Sequence, residues 1–333
     1  MSLPPPANPA HGSHGTGATA AAHRARILRL AASIGLLAGV LYWLDPRALG
    51  AAFSAPHPGW LAAALALGVP QVVLSAWRWR LTAARLGAHL PLGAAVREYY
   101  LATFLNQVLP GGVMGDAARA WRHARKESHF QRGGAAAWQA VVLERASGQL
   151  ALLLVVLASL ALSPALRSAV HGAFSGPSHT EATLAGLLLA LLALGLTLSR
   201  TRLRVHLSQL RQAARQALLA RGAFLPQLIA SLLVVASYVG VYLCCMRMIG
   251  IDTPLATAAP LIPWVLLPMA IPLSIAGWGV REGAAALLWQ AAGLDPAQGV
   301  AISISYGAVV LLSSLPGALM LRHGRAVAVP DPG

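Results

Sequence analysis

Long apolar runs alternate with short basic or polar stretches along most of this chain. Runs at about 27–44, 60–77, 135–162, 182–199, 223–246 and 297–321 predict helices that cross a bilayer, since about 20 apolar residues span its hydrocarbon core. Two further apolar stretches are interrupted. The first, FLNQVLPGGVMGDAARAW over 104–121, is broken at Pro110, Gly111 and Gly112, and Asp116 and Arg119 follow at once. The second, 254–290, holds Pro254, Pro260, Pro263, Pro268 and Pro272 and then Gly277, Gly279, Arg281 and Glu282. An interior proline costs a regular helix about 3 kcal/mol, which disfavours one straight span there. Segment 200–222 has another pattern. Leu203, Leu207, Leu210, Ala214 and Leu218 recur at helical spacing with arginines on the other faces, which predicts an amphipathic helix lying on the membrane surface. Residues 1–26, rich in Pro, Ala, Gly and His, predict a disordered tail, and 323–333 a short one.

Composition agrees with a membrane solvent. The 333 residues are 57% hydrophobic and 11% charged, with mean hydropathy +0.63, where soluble domains carry about 25% charged residues. The net charge of +15 is carried almost wholly by arginine, Lys126 being the sole lysine. Its clustering between apolar runs fits the positive-inside rule, and no nucleic-acid motif accompanies it. Adjacent Cys244 and Cys245 do not suggest a disulfide framework.

The same rule threads the chain. Arg24, Arg26 and Arg29 put the N-terminus in the cytoplasm, and Arg78, Arg80, Arg85 and Arg97 return the chain there after the second run. Arg119, Arg122, Arg125, Lys126 and Arg132 follow the first broken stretch. Both of its flanks are basic, so it predicts a hairpin that enters from the cytoplasm and returns. Arg322, His323 and Arg325 put the C-terminus inside, so the second broken stretch begins and ends outside. The expectation is an all-α polytopic protein with six full spans and two re-entrant hairpins. It forms an inverted-topology repeat of half one (27–162) and half two (182–321). About eight ordinary spans is the rival reading. Non-helical backbone at membrane depth needs surrounding protein or a water-filled cavity, and paired broken segments in two halves point to a transporter's binding site.

Asp116, Arg119, Glu144, Arg145, Arg281 and Glu282 fall at or near membrane depth. Unpaired, six such groups would cost on the order of 15–20 kcal/mol, so they pair or line a wet cavity. They are candidate substrate contacts or interhelical clamps. Arginine forms a fork suited to phosphate, and amides exposed at helix breaks add anion donors. Asn106 stands directly before the first break.

Three motifs, FLNQVLPGGVMGDAARAW, VVLERASGQL and PLSIAGWGVREG, taken in this order, resemble the flippase-like transmembrane region of the lysylphosphatidylglycerol synthase family over about residues 27–322. The resemblance implies a multi-pass inner-membrane protein that moves phospholipids or related lipid-linked molecules. Carried over by position, it supplies Asn106, Gly111, Gly112, Asp116, Arg119, Glu144, Arg145, Gly277, Gly279, Arg281 and Glu282 as substrate-binding candidates. The sequence ends shortly after the last run, so the aminoacyl-transfer domain of the bifunctional synthases is not expected. The leading function is a lipid flippase with an anionic headgroup as cargo. The alternatives are a membrane-embedded enzyme acting on a headgroup and a scaffold for lipid-synthesis enzymes. No P-loop, H-E-x-x-H or G-x-S-x-G is present, so no catalytic residue, metal or cofactor is expected.

Overall fold

The computed structural model describes residues 56–109, 112–126, 133–164, 166–168, 204–220, 222–270 and 276–323. The expected spans at 27–44 and 182–199, the tail at 1–26 and most of the loop at 163–181 lie outside them. All regular elements among the described residues are helices: α1 (Pro58–Arg85), α2 (Leu92–Val108), α3 (Met114–Lys126), α4 (Gly133–Leu162), α5 (Arg204–Ala217), α6 (Phe224–Met248), α7 (Leu255–Leu266), α8 (Val280–Ala291) and α9 (Pro296–His323), with a 3-10 turn at Leu267–Ala270 after α7. Pro58–Arg85, Gly134–Leu162, Phe224–Met248 and Pro296–Met320 are long and apolar enough to cross a bilayer.

Helix α1 runs eight residues beyond the expected end of the second run, so Arg78 lies inside it. The first break forms where the sequence places it. Leu109 ends α2 in an extended conformation, φ −98° and ψ 145°, as a residue before proline is driven to do. Gly112 then takes φ +59°, a left-handed geometry open to glycine without strain. The chain turns back. Asn106 of α2 meets Gly115 and Asp116 of α3, and Glu98, eight residues earlier, meets Arg122 at 2.6 Å. Helices α2 and α3 are thus antiparallel arms of a hairpin whose ends lie together. A Cβ on Gly115 would lie 2.0 Å from the Ala102 carbonyl oxygen, so only glycine permits this approach.

The second break carries three left-handed residues, Ala276 (φ 52°), Gly277 (φ 83°) and Gly279 (φ 86°). Glu282 explains how α8 starts: its carboxylate accepts the Gly279 N–H at 2.6 Å, capping the helix from its third position.

The packing has a regular plan. Among the eight helices other than α5, every packed pair has a counterpart when α1–α4 are exchanged with α6–α9. Helix α2 packs on α9 as α7 packs on α4; α3 packs on α4 as α8 packs on α9; α1 and α6 pack on each other at the centre. Helix α5 stands outside the plan. Its Ala213 and Ala217 are buried with Leu143 of α4 and Leu86, so its apolar face docks on the bundle, and Arg211 and Arg215 face outward.

Close helix approach predicts which glycines matter. Gly115→Ala, and Gly317→Ala, whose Cβ would lie 2.2 Å from the Tyr100 carbonyl oxygen, should each destabilise the detergent-purified protein by about 1–3 kcal/mol. Gly134→Ala, with nothing within 4 Å, should leave the melting temperature unchanged in a thermal unfolding assay.

Candidate functional site

Five charged side chains from three helices form one network beside the first break. Arg119 is fully buried. Its Nε donates to Asp116 Oδ1 at 2.9 Å and its terminal nitrogen to Glu144 Oε2 at 2.7 Å. The same guanidinium stacks between Trp79 of α1 (4.6 Å) and Tyr99 of α2 (4.5 Å). Glu144 Oε1 accepts the Tyr99 hydroxyl at 3.3 Å and faces Arg78 at 3.6 Å. Arg78 also donates to the Glu144 carbonyl and to Ser147 Oγ. Asp116 Oδ2 accepts from Asn106 Nδ2 at 2.9 Å and from Arg145. The Asn106 Oδ1 takes the Gly115 N–H at 2.8 Å, so this amide latches the hairpin arms across their break. Three guanidiniums face two carboxylates, which leaves one positive charge in excess.

The second break has its own, separate cluster. Arg281 donates to Glu282 at 2.7 Å and to Ser303 Oγ of α9 at 2.8 Å. It lies 5.3 Å from the Trp278 ring and 5.2 Å from the Tyr306 ring. Arg281 and Glu282 are both sealed from solvent and balance each other. Gly307 makes the room: a Cβ there would lie 2.5 Å from an Arg281 terminal nitrogen.

A cavity of about 190 Å³ lies between the two breaks. The tips close on each other, for a Cβ on Gly112 would come within 3.9 Å of the Ala276 backbone nitrogen. Of the candidates named from sequence, Asn106, Gly112, Arg145 and Gly277 line this cavity. Arg145 is the open member of the network, its side chain 41% accessible against 0% for Arg119. Asp116 stands behind Arg145. Arg119, Glu144, Arg281 and Glu282 are not on the wall; they fix the helices that form it. Gly279 caps α8, and Gly111 lies outside the described residues.

Several wall residues escaped the reading of motifs. Tyr99, Gln149, Tyr238 and Tyr306 line the cavity, and Arg78 braces Glu144. A signal existed for some of them. Gln71, Ser75, Arg78 and Thr82 recur at helical spacing along α1, as do Gln227, Ser231 and Tyr238 along α6. Each is a polar stripe on an apolar helix, which marks a face turned toward protein or water. Ser237, beside Tyr238, donates to Gln71 of the α1 stripe at 3.2 Å. A second cavity, about 60 Å³, lies behind Arg145 between Arg78, Glu144 and Ser231. It has room for about two waters.

Comparison with known families matches residues 27–317 to the lysylphosphatidylglycerol synthase TM region. The chain belongs to this family. It is a multi-pass membrane protein, and its family connects it with membrane lipids. No curated protein and no solved structure gives a significant match. Within this lysylphosphatidylglycerol synthase TM region, the buried network and the open arginine have different duties, and stability should separate them. Arg119→Gln leaves two buried carboxylates short of a partner and should cost about 3–5 kcal/mol. Arg145→Gln removes a partly exposed partner and should cost less than about 1 kcal/mol. Denaturant or thermal unfolding in detergent measures both.

Proposed function

We propose that this protein carries the head group of an anionic lipid between the leaflets of the inner membrane, through the cavity between its two helix breaks, with the acyl chains left in the bilayer. The observation that carries this reading is the placement of Arg145, the one open cation of a network with surplus positive charge, on the wall of a chamber closed by both hairpin tips. Asp116 holds Arg145. A phosphate oxygen competes for the same guanidinium, and charge-assisted bonds of this kind are about twice as strong as neutral ones. Asp116 keeps Arg119 and Asn106 when Arg145 turns away, so exchange leaves no bare carboxylate.

In this reading the hairpins are re-entrant and enter from opposite faces, six helices cross fully, and both termini are cytoplasmic. Supporting it, Glu98 pairs with Arg122 and Lys126, so the first hairpin ends at the level where it began. That end is rich in arginine and lysine, the mark of a cytoplasmic face. The matching packing of α1–α4 and α6–α9 is what an inverted repeat would produce, and carriers of that design bind cargo near the midplane where two broken segments meet.

Two measurements test the proposal. With Cys244 and Cys245 replaced, single cysteines at Arg97 and Lys126 should be labelled by an impermeant maleimide from one face of the membrane, and those at Pro254 and Gln290 from the other. Labelling of 97 and 126 from opposite faces sinks the topology. In proteoliposomes, the purified protein should move a fluorescent anionic phospholipid between leaflets. Arg145→Gln, still folded, should slow this at least about tenfold, in keeping with loss of a hydrogen bond to a charged group. An unchanged rate in that variant removes the cavity from the mechanism.

A further inference from the structure

We infer that the second cavity, about 60 Å³ in volume, is a binding site for one halide ion, chloride being the abundant one, which serves as counter-ion to the buried arginine network. The site is separate from the chamber between the two breaks, and the inference does not rest on the carrier reading.

Three helices supply most of its wall: Arg78 from α1, Arg145 and Gly148 from α4, Ser231 and Tyr238 from α6. Arg78 is 2% exposed. Its terminal nitrogens meet Glu144 and Ser147, while its Nε is buried without a hydrogen-bond partner among the described residues. The head of this side chain lies against the wall, for a Cβ on Gly148 would come within 3.2 Å of an Arg78 terminal nitrogen. Arg145 repeats the pattern. A terminal nitrogen is held by Asp116, and Nε is buried and unpartnered. Two cationic N–H donors from different helices thus border one small space. Burying a donor unmatched is costly, and more so when it is charged.

Charge decides between the possible guests. Among the described residues, Arg78, Arg119 and Arg145 face only Asp116 and Glu144. Water would satisfy the two donors and leave the surplus charge in the interior, where an unmatched ion is penalised. One monovalent anion settles both. Size narrows the class. The space has room for about two waters, and a halide is only slightly larger than a water. A tetrahedral oxyanion, with five heavy atoms, outgrows it. The second position suits a water, because Gln149 in the same wall keeps a buried, unpartnered Oε1 that an anion cannot serve. Glu144 also borders the space, but its oxygens already face Arg119, Tyr99 and Arg78. Arg145, Gln149, Tyr99 and Tyr238 line both cavities, so the ion enters from the main chamber.

Thermal unfolding of the full chain in detergent tests the site, with chloride exchanged for gluconate at constant ionic strength. Chloride should raise the melting temperature by at least about 3 °C and saturate, as a ligand of the folded state does. Bromide should act alike, and sulfate should not. Arg78→Gln, which removes the surplus charge, should raise the half-saturating chloride concentration at least about tenfold. Arg78 also braces Glu144, so a second variant keeps that brace. Gln149→Glu supplies a fixed counter-charge in the wall; it should melt in gluconate no lower than the unaltered protein and lose the chloride response. Anomalous scattering from crystals of the unaltered protein grown in bromide should place one ion in contact with Arg78 Nε and Arg145 Nε. A melting temperature indifferent to chloride, a full response in Gln149→Glu, or bromide found only in the main chamber each overturns the inference. Bromide in the second cavity without halide-dependent melting marks an adventitious ion only and overturns it too. Lipid movement is not read in any of these arms, so the carrier reading stands or falls separately.

Discussion

A charge inside an apolar bundle must be matched by its neighbours, and the guanidinium of Arg119 shows how much follows from that demand. Asp116 and Glu144 bind it from α3 and α4, and the rings of Trp79 and Tyr99 flank it from α1 and α2. Four helices therefore converge on a single side chain. Such a cluster is poor evidence for net stability, because an apolar replacement of the whole set can be as stable. Its effect is registry. A slide of α3 by one turn would carry Arg119 away from Glu144 and Asp116 away from Arg145, so the network holds the hairpin at one depth.

Registry in turn sets the chamber. The breaks lie at the hairpin tips, and the tips meet because the arms are pinned along their length by Glu98 with Arg122, by Asn106 with Asp116, and by glycine at the contact of Gly115 with Ala102. Small residues permit the close approach, ion pairs fix its position, and the broken backbone is left facing a space that polar side chains line. The cavity is thus framed by helix packing and closed by the two breaks, and its one charged member among the described residues is the arginine that packing leaves uncovered.

Much of this was legible in the chain. Three of the four long helices appear close to their hydropathic limits, α1 being the exception, and both breaks fall at their proline and glycine clusters. Pairing was less legible, because it depends on distance across helices. Arg78 reads as a basic flank, since a hydropathy run ends at its first arginine, yet the helix continues to Arg85 and buries it against Glu144. Its inclusion converts a balanced set of six charges into one cluster with a surplus and one that is neutral. Trp79, next to Arg78 at that basic flank, is likewise wholly buried, on Arg119. The apolar face of α5 was visible, but lipid and protein are equally apolar partners, and the sequence alone could not tell that Leu86 and Leu143 would cover it.

The halves agree in how their helices pack and disagree in how their charges are spent. One carries a network with one positive charge in excess and an arginine open to the interior; the other is electrically closed around Arg281 and Glu282. For a carrier that rocks by letting each half take on the other's shape, the outward and inward forms are then not energetic twins. In such a carrier the resting ensemble would lean to one side with no gradient applied, and a bound anion would shift that lean by whatever it gains from one form over the other.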